Sequence, residues 1–165
     1  MVTAAQRAQL GTLMDWAFSE RSRFSYPPDD RRVVSVAGIV SVADFKAFVL
    51  SGRAEIDCSQ LGYALWGAVF GGVRSQDGAT GSMLAMPDYL PQYHEPAKAY
   101  TGAGVVLGPG SGEHFCMVRN RDAVHGDPTV LSHGGNGTYA CRYVPLSVEA
   151  ASHEPPVTML SIAHL

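Results

Sequence analysis

The stretch Asp57-Cys58-Ser59-Gln60-Leu61-Gly62-Tyr63-Ala64-Leu65-Trp66-Gly67-Ala68-Val69-Phe70-Gly71-Gly72 decides how the chain folds. Leu61, Leu65, Ala68 and Val69 recur at the three-to-four-residue spacing of an apolar helix face, and Gly71-Gly72 breaks the pattern. The spacing predicts a helix from Cys58 to Phe70, with Cys58 at its N-terminus. There the helix dipole and unpaired backbone N–H groups favour thiolate over thiol, and the same N–H groups can hold an oxyanion formed when sulfur attacks a carbonyl carbon. The competing reading of Cys58 is a small buried hydrophobe.

On the N-terminal side, Thr3 is a possible N-cap for a helix over 4–20 whose apolar face is Leu10, Leu13, Met14 and Ala17. Phe24 to Arg32 contains Pro27-Pro28 and reads as a loop, handing over to a β-branched run, Val33–Val42, that suggests a short hairpin. Asp44 is placed to cap a second short helix with Phe45, Phe48 and Val49 inward, stopped by Gly52. On the C-terminal side, residues 71–101 show no sustained period and read as a long connection that shapes a cleft. Short strands are predicted at Val105–Leu107, His114–Val118, Thr129–Ser132, Thr138–Val144 and Thr158–Ala163, with tight turns such as Gly108–Gly112 and Gly134–Gly137 between them. Helices first and an antiparallel sheet afterwards predict one α+β domain over 1–165.

Twelve Lys and Arg against fifteen Asp and Glu give a net charge of −3, so no surplus of positive charge is present to grip nucleic acid. No apolar run reaches the roughly 18 residues that span a bilayer, which argues against a membrane partner. Met1 is followed by Thr3, Gln6, Arg7 and Gln9 rather than a signal-peptide core, so export by a classical signal is not expected. Cys58, Cys116 and Cys141 are an odd number of widely spaced cysteines, which points to reduced thiols.

Six histidines are present, and two stand at ends of predicted strands: His114 opens His-Phe-Cys-Met-Val and His133 closes Val-Leu-Ser-His. If these strands are antiparallel neighbours, the start of one lies beside the end of the next, and both side chains can meet at one sheet edge. With Cys58 they would make nucleophile, base and orienting group. Cys116, two residues after His114, shares its face and could be grouped with His133 as a metal site, but no Cys-x-x-Cys or His-x-x-x-His spacing supports one, so core packing is the simpler role for Cys116 and Cys141. Trp16 and Trp66 read as core or cleft wall, and His94, His153 and His164 have no evident partner.

Asp57-Cys58-Ser59 opening an apolar helix, then Gly112-Glu-His114-Phe-Cys-Met-Val118, then Val130-Leu-Ser-His133-Gly, resembles the NlpC/P60 cysteine peptidases, in particular those of actinobacterial phage endolysins. The similarity covers about residues 10–165. It implies a papain-like α+β fold that hydrolyses amide bonds in peptidoglycan stem peptides without a cofactor, with Cys58 as nucleophile, His114 as base and His133 as the residue orienting it. It further implies that Asp57 and Ser59 hold the substrate's amine or stem peptide and that Tyr26 lines the site. Two features depart from the family: Gly102-Ala-Gly104 lacks an acidic residue often found before the first sheet strand, and a long loop with His125 and Asp127 separates the two histidines, either of which could be the third residue instead. The resemblance leads to the expectation of a monomer, made in a host cytoplasm and acting at the cell wall, with no wall-binding repeat visible after residue 145. A peptidoglycan amidase using the same residues and a non-catalytic wall-binding protein of the same fold are the competing readings.

Overall fold

A computed structural model describes residues 1–27, 35–72, 79–121, 126–134 and 141–165, with the side chains of Asn120 and Arg121 excepted. The Thr3 hydroxyl accepts from the Gln6 N–H while the Gln6 side chain takes the Thr3 N–H, a capping box that starts α1 (Ala4–Ser19). Leu10, Leu13, Met14 and Ala17 of α1 are buried as their spacing requires. A two-residue strand, β1 (Phe24–Ser25), follows. The next helix, α2 (Val42–Leu50), is capped by Ser41 rather than Asp44: the Ser41 hydroxyl accepts from the Asp44 N–H at 3.1 Å, and Asp44 answers by accepting from Ser41 Oγ at 2.6 Å. Asp44 therefore sits one turn inside, where a carboxylate suits the positive helix end. Residues 35–41 form no strand, and Val33 and Val34 lie outside the described residues. Gly52, with φ +73°, takes the left-handed position just past α2 that its lack of a Cβ permits.

β2 (Ala54–Glu55) pairs in parallel with β1, Phe24 opposite Ala54 and Ser25 opposite Glu55, and so fixes the chain just before Cys58. Asp57 then caps α3 (Cys58–Phe70) in a second capping box with Gln60, and Gly71 at φ +81° closes the helix. α3 is buried along almost its whole length, including Leu61, Leu65 and Trp66. The connection after α3 is more structured than its sequence suggests: it holds α4 (Thr80–Leu84) and the edge strand β3 (Gln92–Tyr93), with residues 73–78 outside the described set.

β4 (Gly104–Leu107), β5 (His114–Arg121), β6 (Pro128–Ser132), β7 (Arg142–Pro145) and β8 (Val157–Leu160) complete an antiparallel sheet of order β3-β8-β4-β5-β6-β7. Residues 138–140 of one predicted strand lie outside the described residues, and β8 ends three residues earlier than expected. Between β7 and β8 stands a short helix, α5 (Leu146–Ala150), that the sequence pattern did not reveal. The period-two alternation of strands splits the core. Val106, Phe115, Met117, Leu131 and Leu160 pack with α1 and α3, whereas Val105, Leu107, Cys116, Val118, Val130 and Met159 pack with Leu146 of α5. Helices α1 to α3 preceding an antiparallel sheet make the molecule α+β. No described helix is long and apolar enough to cross a membrane.

Candidate active site

Cys58 is the first residue of α3, held there by the Asp57 cap: Asp57 Oδ1 accepts from Gln60 N at 2.7 Å, and Gln60 Oε1 accepts from Asp57 N at 3.0 Å. The thiol is only 7% exposed. Tyr26, just after β1, donates its hydroxyl to Cys58 Sγ at 3.8 Å, and its oxygen receives the Cys58 backbone N–H. Burial and the nearby sulfur push the Tyr26 phenol well above its ordinary pKa, so it remains a donor. The upstream tyrosine expected from the sequence is thus at the Cys58 thiol. Asp57 and Ser59 serve the helix start, Ser59 Oγ donating to Asp57 Oδ1 at 2.8 Å.

His114 opens β5, is 3% exposed, and lies within hydrogen-bonding reach of the Cys58 thiol. Its Nε2 faces Ser132 Oγ at 2.9 Å and Glu149 Oε1 at 3.1 Å. With Nε2 so engaged, Nδ1 is the nitrogen left for the sulfur. Ser132 in turn donates to Glu149 Oε1 at 2.6 Å, and Arg142 Nη2 donates to Glu149 Oε2 at 2.7 Å. Burial works against charge on the His114 ring, but hydrogen bonds to Cys58 and Glu149 outweigh it and lift the pKa to about 9. Burial likewise penalises the Glu149 carboxylate, yet hydrogen bonds from His114, Ser132 and Arg142 draw it down to about 2. The other two thiols are different: burial pushes Cys116 well up and Cys141 to about 12.

His133 does not take the orienting position expected of it. β5 and β6 are the antiparallel neighbours foreseen, but Cys116 pairs with Ser132, so Ser132 shares the face of Cys116 and His114 while His133 points to the opposite one. There its Nε2–H donates to the Ile56 carbonyl at 2.9 Å and its Nδ1 lies 3.5 Å from Cys141 Sγ. Burial depresses its pKa to about 4, which keeps the ring neutral. It stands between Phe24 and Tyr26, with centroids 5.7 and 5.6 Å away, and ties the backbone two residues before Cys58 to the end of β6. The same parity removes any metal site made of His114, Cys116 and His133.

Of the loop alternatives, Asp127 accepts from Ser147 N at 3.0 Å and Ser147 Oγ at 2.6 Å, at the start of α5 and not at His114. His125 lies outside the described residues. His153 has a partner after all: its ring stacks on His114 at 5.2 Å and 5°, with Nδ1 3.4 Å from Glu113 Oε2. His94 and His164 bond to the Val157 and Asp88 carbonyls. Donor atoms of His114, Glu149 and His153 come within 4.8 Å of one another. Imidazole lone pairs lie in the ring plane, however, so two parallel rings do not aim theirs at one point, and Glu149 is already bound to Arg142.

Beside Cys58 is a narrow cavity of about 10 Å³ touching Leu61, Phe115 and His133. The roomier hollows lie against α1, one of about 230 Å³ at Trp16 and Lys46 and one of about 520 Å³ at Arg7, Tyr100 and Arg119. Neither brings a nucleophile and a base together. Glu149 was missed by sequence reasoning because it lies in a five-residue helix with no motif around it. No protein-family model, curated protein or solved structure matches the chain. The chemistry is therefore read from the geometry: a thiol at a helix N-terminus, an imidazole beside it and a buried carboxylate behind that imidazole, a set of groups suited to acyl transfer.

Proposed function

We propose that the chain is a cysteine peptidase of papain-like NlpC/P60 type that hydrolyses amide bonds in peptidoglycan stem peptides, as a phage endolysin or its peptidase module acting at the bacterial wall. The observation that carries the reading is the side-chain hydrogen bond of Cys58 with His114, which joins a thiol at a helix N-terminus to an imidazole from a distant part of the sequence. The substrate class rests on the order of the Asp57-Cys58-Ser59, His114 and Ser132-His133-Gly134 segments.

In this mechanism the Cys58 proton passes to His114 Nδ1, and the sulfur attacks the amide carbonyl carbon. The carbonyl oxygen becomes an oxyanion bordered by the Cys58 N–H and the Tyr26 hydroxyl, which already face one another. The C–N bond breaks as His114 protonates the departing amine. Water then attacks the thioester carbon, gives its proton to His114, and the C–S bond breaks to release the acid and the thiol. No metal enters these steps. Iodoacetamide should abolish release of stem-peptide fragments while a strong chelator leaves it unchanged. Loss on chelation, restored by zinc, would overturn the thiol mechanism.

A further inference from the structure

Glu149 belongs to none of the motifs in the sequence, yet it is 2% exposed and its carboxylate is held against His114, Ser132 and Arg142. Oε2 is braced by Arg142 Nη2 at 2.7 Å. Oε1 receives the Ser132 hydroxyl at 2.6 Å and stands 3.1 Å from His114 Nε2, the ring nitrogen on the side away from the sulfur. Because Ser132 gives its only hydroxyl proton to Glu149, its oxygen must accept from His114, so Nε2 carries the hydrogen in the resting ring. That turns Nδ1 toward the thiol, where it holds the second hydrogen of the imidazolium and is a lone pair whenever the ring is neutral. His153 stacked on the ring at 5.2 Å restricts its tilt.

We propose that Glu149, braced by Arg142 and joined to the ring through Ser132, is the positioning residue that sets the tautomer of His114 and stabilises its imidazolium. The inference rests on reading Cys58 and His114 as a catalytic pair. When the thiol proton moves to Nδ1, both ring nitrogens carry hydrogen, Nε2–H stays bonded to Ser132 and Glu149, and no proton passes to the carboxylate. Glu149 thereby fills the third place that the sequence assigns to His133, from a different element of the fold. The ionisable groups around the ring are Cys58, Glu149 and His153, with Cys116, Arg142 and His133 farther out.

The test needs no substrate. The protonation of His114 is followed by NMR of its ring in the full chain, wild type against Glu149→Gln, which keeps the shape and removes the charge. The midpoint should fall by about one pH unit or more, the size expected for losing an opposite charge at this range. Alkylation of Cys58 by iodoacetamide at neutral pH should slow with it. If Glu149→Gln does not fold, Arg142→Gln decides: removing the guanidinium takes a repelling charge away from the imidazolium and should raise the midpoint. A folded Glu149→Gln with an unmoved His114 midpoint, or in its place an unmoved midpoint in Arg142→Gln, overturns the proposal. A wild-type protein that leaves peptidoglycan intact while the midpoint moves would sink the peptidase reading and sustain this one; hydrolysis with an unmoved midpoint would do the reverse.

Discussion

His114 and His133 have the same side chain, two neighbouring strands and opposite electrostatics. His114 gains hydrogen bonds to Cys58 and Glu149 that outweigh burial and raise it to about 9, whereas His133 has burial as its main influence and is lowered to about 4. Only His114 can carry a proton at neutral pH and return it. His114→Ala should therefore remove the roughly 10²–10⁴-fold that general acid–base catalysis supplies, measured as initial rate of peptide release, with the fold intact by circular dichroism. Cys116→Ala and Cys141→Ala should keep turnover in whatever fraction folds, since burial holds both as thiols away from the base. A fully active His114→Ala would remove the base from the mechanism.

At the level of elements, what positions the site is the seating of α3 on β5. Gly62 on α3 leaves room for the Phe115 ring: a Cβ built there would lie 2.2 Å from Phe115 Cε1. Phe115 cannot swing away, because Trp66 packs against its ring at 5.5 Å and 79° and Trp66 Nε1 is itself bonded to the Gly102 carbonyl at 2.9 Å. Gly62→Ala should cost about 1–3 kcal/mol by overpacking and shift Cys58 relative to His114. Urea unfolding reads the first effect and iodoacetamide reactivity the second; a variant equal to wild type in both would show that α3 has slack. Elements with caps and a full period were legible from residues alone. Thr3 begins α1 and Gly71 ends α3 as their chemistry demands, whereas the Asp57 cap of α3 is a finding of the structure. The helix α5 was not legible, because five residues from Leu146 to Ala150 are too few to display a 3.6 period and its Pro145 cap makes no side-chain bond. Hidden with it was Glu149. The misplacement of His133 has another cause: two strand ends can be adjacent, as β5 and β6 are, while a register offset of one residue turns a side chain to the wrong face.

Over the whole molecule, Glu149, His133 and His114 give stability a defined dependence on pH. Glu149 and His133 are lowered on folding, to about 2 and about 4, so their contributions are present above their ordinary pKa values and are lost as pH falls. For His133 the loss runs from about 6.5 down through about 4, and for Glu149 from about 4.5 down through about 2. His114 is raised, so its contribution is complete below about 6.5 and is lost as pH climbs through about 9. Thermal unfolding should therefore be highest near pH 6.5 and decline on both sides. His133→Gln should flatten the first part of the acid limb, and Cys58→Ala the alkaline limb. A midpoint constant from pH 4 to 9 would contradict these ionisation states.

The most direct measurement is incubation of the full chain, and of Cys58→Ala, with purified peptidoglycan, the released fragments being weighed by mass spectrometry. Wild type should release fragments whose masses and new amine ends mark cleavage within the stem peptide, and Cys58→Ala should release none while remaining folded. Cleavage between sugar and peptide would place the same residues in an amidase. Undiminished release by folded Cys58→Ala, or no release by either protein, would contradict a Cys58 peptidase acting on the wall.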